Sequence, residues 1–284
     1  MVNNEVSPER VKIFDSTTIS LFTDVFKAAG RNPMSGKKKG GLKVQAVLPL
    51  DSKVPEVICM GDASENDKDF LGQLEVVANN IYVFDKGYVN YAIWNEWTKK
   101  GAFFVTRINE NANYRVLESK LNNPIDFLGG GVIKDEIIEL KMKGGKTKSA
   151  RLMTYKDPLK GVKLRFISNR MNFKGDTIVR LYKNRWEIEV LLKQLKQNFE
   201  LGYFFSDSSE GIKTQVWIGL ISNLIFTVIH KQVKECEQFL TIVSMASTNL
   251  SSYTSLLTII EAKKWDAGDR DVEIVQLDLF NSDG

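Results

Sequence analysis

Three acidic residues stand where local patterning can put them to chemical use. Asp15 closes a short apolar-alternating run, Val11 to Phe14, and Asp85 closes a second, Ile81 to Phe84. Both runs read as strands, and open α/β sheets place their chemistry at the carboxyl ends of strands. Glu189 lies inside the longest helical pattern, 176 to 199, with Asp176 as its expected N-cap. At 100° per residue, Tyr182, Arg185, Lys193 and Lys196 all fall within about 40° of Glu189. Apolar residues flank that stripe: Leu181, Ile188, Leu192 and Phe199 on one side, Val179, Trp186 and Val190 on the other. Lys183, Asn184, Glu187 and Gln194 form a second polar face, roughly opposite. A surface helix needs one polar face only, so the stripe carrying Glu189 is expected to face a cleft or a ligand. The same spacing of Arg185, Glu189 and Lys193 also suits an i, i+4 salt-bridge ladder, and the helix alone leaves both readings open.

The elements that must position these residues follow from periodicity. Val11 to Phe14 reads as a strand, followed by a cap at Ser16 to Thr18 and a short helix through Leu21, Phe22 and Val25. Leu42 to Leu48 and Val54 to Met60 alternate as a hairpin, and 67 to 78 reads as a helix. Ile81 to Phe84 is a buried-type strand, Tyr88 to Trp97 an aromatic-rich helix, and Ala102 to Thr106 a further strand. That order implies an α/β fold, a mixed sheet with helices packed on it. From 108 to 169 glycine-punctuated β-like runs follow, at 136 to 143, 149 to 155 and 162 to 167. Beyond the long helix, apolar helices extend to about 261, and the polar tail past Trp265 reads as loose.

Bulk properties narrow the class. The 284 residues are 43% hydrophobic and 26% charged, which speaks against both disorder and a membrane protein. Val216 to Ile229 is the longest apolar stretch of note; it is too short to span a bilayer and reads as a buried helix. The polar start, Met1 to Arg10, lacks the apolar core of a secretory signal, so a cytoplasmic location is expected. Cys59 and Cys236 lie far apart without metal-ligand spacing and read as reduced core thiols, and His230 as a structural residue in an apolar helix. The net charge of +4 is modest. Its distribution matters more: Lys37 to Lys39, the four lysines of 141 to 148, and Lys193 with Lys196 can meet phosphate or solvent.

Three motifs then carry a resemblance. Tyr182-x2-Arg185-x3-Glu189-x6-Lys196 resembles the YREK signature of the DDE transposase family named after insertion sequence four. Asp15-Ser16-Thr17-Thr18 resembles that family's Asp-Ser-x-Thr context for its first aspartate, and Asp85-Lys86-Gly87-Tyr88 its Asp-x-Gly-Tyr/Phe context for the second. The three occur in the family's order, and the resemblance covers about residues 10 to 235. It implies an RNase H-like fold, a mixed five-stranded sheet with flanking helices, interrupted by a β-rich insertion before the last catalytic helix. The implied divisions are 1–107 and 171–235 for the catalytic domain, 108–170 for the insertion, and 236–284 for a C-terminal helical region and tail.

The resemblance further implies that Asp15, Asp85 and Glu189 hold two divalent cations, Mg²⁺ or Mn²⁺, about 4 Å apart. Such a pair activates a water or 3′-hydroxyl and stabilises the leaving oxygen, so no protein nucleophile is needed. Tyr182, Arg185 and Lys196 would contact the transposon end, and Lys193 shares their stripe. The implied partners are double-stranded DNA, as transposon ends and target, and a second copy in the synaptic complex, with no membrane. Only 14 residues precede Asp15, where the family carries a DNA-binding region. No tryptophan lies between Trp97 and Trp186 to stack on a flipped base, leaving Tyr155, Phe166 or Phe173 for that task. Two other functions compete with the transposase: a non-catalytic remnant that binds DNA or full-length transposase, and a stand-alone nuclease of the same fold.

Overall fold

The computed structural model describes residues 6–21, 40–120, 131–142, 145, 147–199, 201, 203–232, 238–249, 251, 256 and 258–259. The chain divides into two compact units, Met1–Trp217 and Ile218–Gly284.

In the first unit, β1 (Val11–Ser20), β2 (Gly41–Pro49) and β3 (Val57–Asp62) form an antiparallel run; β4 (Ile81–Val83) and β5 (Phe103–Arg107) add in parallel beside β1. Four more strands follow: β6 (Tyr114–Ser119), β7 (Gly131–Lys141), β8 (Thr147–Lys156) and β9 (Lys163–Ser168). β9 pairs antiparallel with β5, Val105 opposite Ser168 and Arg107 opposite Phe166. The result is one sheet ordered β3-β2-β1-β4-β5-β9-β8-β7-β6 among the described residues. The expectation of five strands is therefore corrected to nine, because the strands of 114–168 continue the sheet through β9 instead of standing apart from it. Ile138, Leu140 and Leu152 share one core cluster with Phe14 and Phe84, so the packing is as continuous as the hydrogen bonding.

Alternation along the strands sorts side chains onto two faces. Val11 and Ile13 of β1, with Ile81 and Val83 of β4, pack against α3 (Gly175–Lys183) and α4 (Trp186–Asn198) through Ile178, Leu181, Ile188 and Leu192. Phe14, Tyr82 and Phe84 point the other way, into an aromatic core with Phe70 and Leu71 of α1 (Asp67–Gln73) and Trp94 and Trp97 of α2 (Tyr91–Lys99). Phe14 and Phe84 stack at 4.8 Å between ring centroids. The layers are thus helix, sheet, helix.

Several element boundaries differ from the sequence reading. β1 runs on through Asp15 to Ser20, so the cap and helix start expected at Ser16 to Ile19 are strand instead. Thr17 and Thr18 suit a pleated surface, and β2 offers partners in register, Asp15 opposite Ala46 and Thr18 opposite Lys43. Phe22 and Val25 lie outside the described residues. α1 stops before Leu74, and farther on the Val77 amide donates to the Tyr82 hydroxyl at 2.9 Å. The long helix is two helices with a tight turn at Asn184 and Arg185, and its N-cap is Lys174 with no side-chain cap, not Asp176.

Helix α5 (Ser209–Gln232) crosses the division between the units, and α6 (Phe239–Thr248) follows in the second. Within that second unit Ile242 is buried among Phe226, Ile229, Met245 and Leu256. α5 was expected as a buried helix too short for a bilayer; it is 24 residues long, enough by length and composition to cross one, and about half exposed at Trp217, Ile218, Ile221, Ile225 and Val228. A long apolar helix of that kind occurs in globular cores as well, so length decides nothing. Cys59 is a free, half-buried thiol, whereas Cys236 and the tail past Trp265 lie outside the described residues.

Candidate active site

Strand alternation puts Asp15 on the same face as Val11 and Ile13, the face covered by α3 and α4. Asp85 follows β4 by two residues, and since Ile13 is level with Val83, Asp15 and Asp85 come level on neighbouring parallel strands. From the helical layer, Arg185 at the turn between α3 and α4 reaches down to this pair. Its Nη1 donates to Asp15 Oδ2 at 2.6 Å, and its Nη2 lies 2.5 Å from Glu189 Oε1. Tyr182, one turn earlier, donates its hydroxyl to Asp85 Oδ1 at 2.9 Å. The Tyr182 ring packs on buried Phe166 at 4.9 Å and under the Arg185 guanidinium at 5.5 Å. Asp15, Asp85, Tyr182, Arg185 and Glu189 thus form one cluster, in which Asp15 and Arg185 are 170 residues apart along the chain. The i, i+4 contact of Arg185 with Glu189 exists, but its other partner is a strand aspartate and not Lys193.

Lys193 and Lys196 are not drawn into the cluster. Both are exposed farther along α4, and neither makes an ion pair among the described residues. Lys37, Lys38, Lys39, Lys143 and Lys146 lie outside the described residues.

Electrostatics separate the two aspartates. Burial raises Asp15, the Ser16 amide at 2.8 Å and Arg185 pull it back, and the negative charges of Glu189 and Asp85 push it up again, to about 6. Asp85 is also pushed up by burial, but the Tyr182 hydroxyl, the Lys86 and Gly87 amides and Arg185 outweigh it and hold the carboxyl below its usual range. Burial raises the Tyr182 hydroxyl, which keeps it a donor.

Three carboxylates offer the hard oxygen donors that Mg²⁺ or Mn²⁺ takes. Among the described residues no three acidic side chains are already drawn together as a ligand set. Arg185 stands between Asp15 and Glu189, and Tyr182 engages Asp85. The donor chemistry fits such an ion, with the guanidinium now neutralising the carboxylates that a cation would otherwise neutralise.

Sequence reasoning missed four neighbours. Asp67, at the start of α1, accepts from the Ser16 hydroxyl and from the buried Lys43 amine, each at 3.0 Å, beside the Ser16 amide that holds Asp15. Lys43 also donates to the Glu65 carbonyl. No local signal ties these residues together, since the pairing of β1 with β2 creates the contact. Arg107 ends β5 at the same sheet edge as Asp85, and its charge bears on Tyr182. Trp186, next in the chain after Arg185, falls on an apolar flank of the helix in sequence, yet it is 57% exposed. Conversely Tyr155, Phe166 and Phe173, the three rings expected to be available for stacking, are all buried and offer no free face.

Comparison with known proteins bears on this geometry. The family model described as "Transposase DDE domain" matches residues 6–225. A protein of Sinorhizobium fredii named "Putative transposase y4zB" is 27% identical over 220 residues, 77% of this chain and 60% of its own length. The "Probable transposase for insertion sequence element IS5377" of Geobacillus stearothermophilus is 21% identical over 229 residues, 80% of this chain and 59% of its own. The chain therefore spans about three-fifths of the length of these relatives. Among solved structures, a piggyBac transposase synaptic complex with hairpin DNA aligns over 91% of this chain and 57% of that one, at 11% identity and a TM-score of 0.47. A likeness that loose fixes neither fold nor function.

Proposed function

Because the chain belongs to the transposase DDE domain family, we propose that it cuts DNA at the ends of an insertion sequence and joins the freed strand to target DNA, in a metal-dependent reaction. The observation that supports this most is the meeting of Asp15 and Glu189 on one guanidinium, with Asp85 held alongside by Tyr182. The spacing of Tyr182, Arg185, Glu189 and Lys196 resembles the signature of the family named after insertion sequence four and supports placing the chain there. In this reading β3-β2-β1-β4-β5 is the RNase H-like core, and the strands of 114–168 belong to its insertion.

Asp15, Asp85 and Glu189 would hold the Mg²⁺ or Mn²⁺ ions. Such ions, when bound, activate a water or 3′-hydroxyl and neutralise charge at the leaving oxygen of an in-line displacement. Tyr182 orients Asp85 and keeps it ionised. Arg185, once freed from its carboxylates, presents a fork suited to a phosphodiester, and Lys193 and Lys196 extend positive charge along α4 as point contacts. Trp186, next in the chain after Arg185, supplies an exposed ring on which a displaced base can stack. The partners are transposon-end and target duplexes, bound by two copies in the synaptic complex, in the bacterial cytoplasm at the nucleoid.

Incubating the purified chain with Mg²⁺ and a labelled duplex carrying the element's terminal repeat tests the proposal. Nicked and joined products are expected. Nicking without joining identifies a stand-alone nuclease, and binding without either identifies a non-catalytic remnant; both outcomes overturn the transposase reading.

A further inference from the structure

A second polar cavity opens at the other end of the same strands. Val11, Ile81 and Phe103 are level at the starts of β1, β4 and β5, four residues before Asp15, which is about 13 Å at ~3.3 Å per residue. Here a cavity of about 60 Å³ is lined by Ser7, Arg10, Asn79, Phe103, Arg170 and Phe173. The Arg170 guanidinium lies over two rings, 4.3 Å from the centroid of Phe103 and 4.9 Å from that of Phe173. A planar cation packed on rings turns its edges to hydrogen bonding. Yet its Nε is buried with no partner, and no carboxylate pairs with Arg170 or Arg10 among the described residues. Ser7 gives its hydroxyl proton to Glu9 at 2.7 Å, so the donors left to the cavity are the two guanidiniums and the Asn79 amide.

Two cations that share a polar cavity repel, and a buried N–H without an acceptor is costly. An anion with several oxygens relieves both at once. The cavity is roomy enough for several waters, and so for a small oxyanion such as a phosphoryl group. We infer that Arg170 and Arg10 form a phosphate-binding site, distinct from the acidic cluster, filled either by a DNA backbone phosphate or by free inorganic phosphate. The inference does not depend on the catalytic reading.

The test uses the full chain with Arg10→Gln and Arg170→Gln. Inorganic phosphate is titrated calorimetrically against chloride at equal ionic strength, and binding to an unrelated duplex is followed against salt. Arg10 is exposed, so Arg10→Gln keeps the test sound if Arg170→Gln loosens the Phe103 and Phe173 packing. Either variant is expected to weaken phosphate binding tenfold or more. A log–log salt slope lower by about one in the variants assigns a DNA phosphate to the site. An unchanged slope with phosphate binding lost assigns free phosphate. Wild-type protein that prefers phosphate no more than chloride, together with an unchanged slope, overturns the inference, as does phosphate binding that both variants retain.

Discussion

Arg185 sits between two carboxylates that belong to different elements, and its roles follow from that position. Its side chain and that of Asp15 are each only about a sixth exposed, so removing the guanidinium leaves buried charge unmatched. Arg185→Lys keeps the charge but not the fork, and cannot reproduce both contacts. On DNA, Arg185→Ala and Lys196→Ala should each lower the log–log salt slope by about one, measured on transposon-end duplex; an unchanged slope removes those residues from the interface. Asp15 gives a pH prediction. Its folded value of about 6 exceeds the ordinary 3.8, so the fold holds a proton the unfolded chain releases, and stability falls as pH rises from about 4 past 6. Two units correspond to about 3 kcal/mol. In metal-free buffer the melting temperature of Asp15→Asn should therefore fall less than that of wild type between about pH 4 and pH 8; an equal or steeper fall contradicts the burial argument. The acids themselves were legible, because each follows a recognisable apolar run or lies on a helix stripe. Lys43, Asp67 and Arg107 were not, because a lysine inside an apolar strand or an aspartate at a helix start says nothing local about a partner across the sheet.

At the scale of elements, the turn between α3 and α4 turns a helix stripe into a site. An unbroken helix was the natural reading, since no proline or glycine interrupts 176 to 199. What ends α3 is a change from i−4 to i−3 bonding, with Arg185 N donating to Tyr182 O and Glu187 N to Asn184 O. Because residues three apart still lie on one face, Tyr182 and Arg185 stay together through the break. The segment leading into α3 is tied to β8 by Arg151, which is paired bidentately with Asp135 at 2.7 and 2.5 Å and donates to the Met171 and Phe173 carbonyls. Both side chains of the pair are nearly buried. Asp135→Ala should cost about 3–5 kcal/mol in denaturant unfolding, because it strands a buried guanidinium; a loss under 1 kcal/mol means that water replaces the carboxylate. This anchor was invisible in sequence, since 16 residues and a hairpin separate its partners.

For the whole molecule, one nine-stranded sheet carries two unlike faces. The aromatic face, with Phe14, Phe84, Trp94 and Trp97, is closed by α1 and α2, and the aliphatic face under α3 and α4 ends at the acidic cluster. Strand alternation makes both from the same segments, which is why Phe14 and Phe84 build core while Asp15 and Asp85, one residue on, face the opposite helices. The mixed α/β class and the order of the first elements were legible from periodicity. The sheet's extent was not, because β9 joins β5 by hydrogen bonds that no alternation pattern announces, and β6, exposed along much of its length, lacks a buried stripe.

The central claim is that Asp15, Asp85 and Glu189 act as one unit, and single conservative variants in a Mg²⁺-dependent cleavage assay on transposon-end duplex test it most directly. Asp15→Asn, Asp85→Asn and Glu189→Gln should each lower the cleavage rate at least a hundredfold while the protein stays folded and still binds the duplex. Near-normal cleavage by any one of the three, with wild-type protein active under the same conditions, would contradict the account.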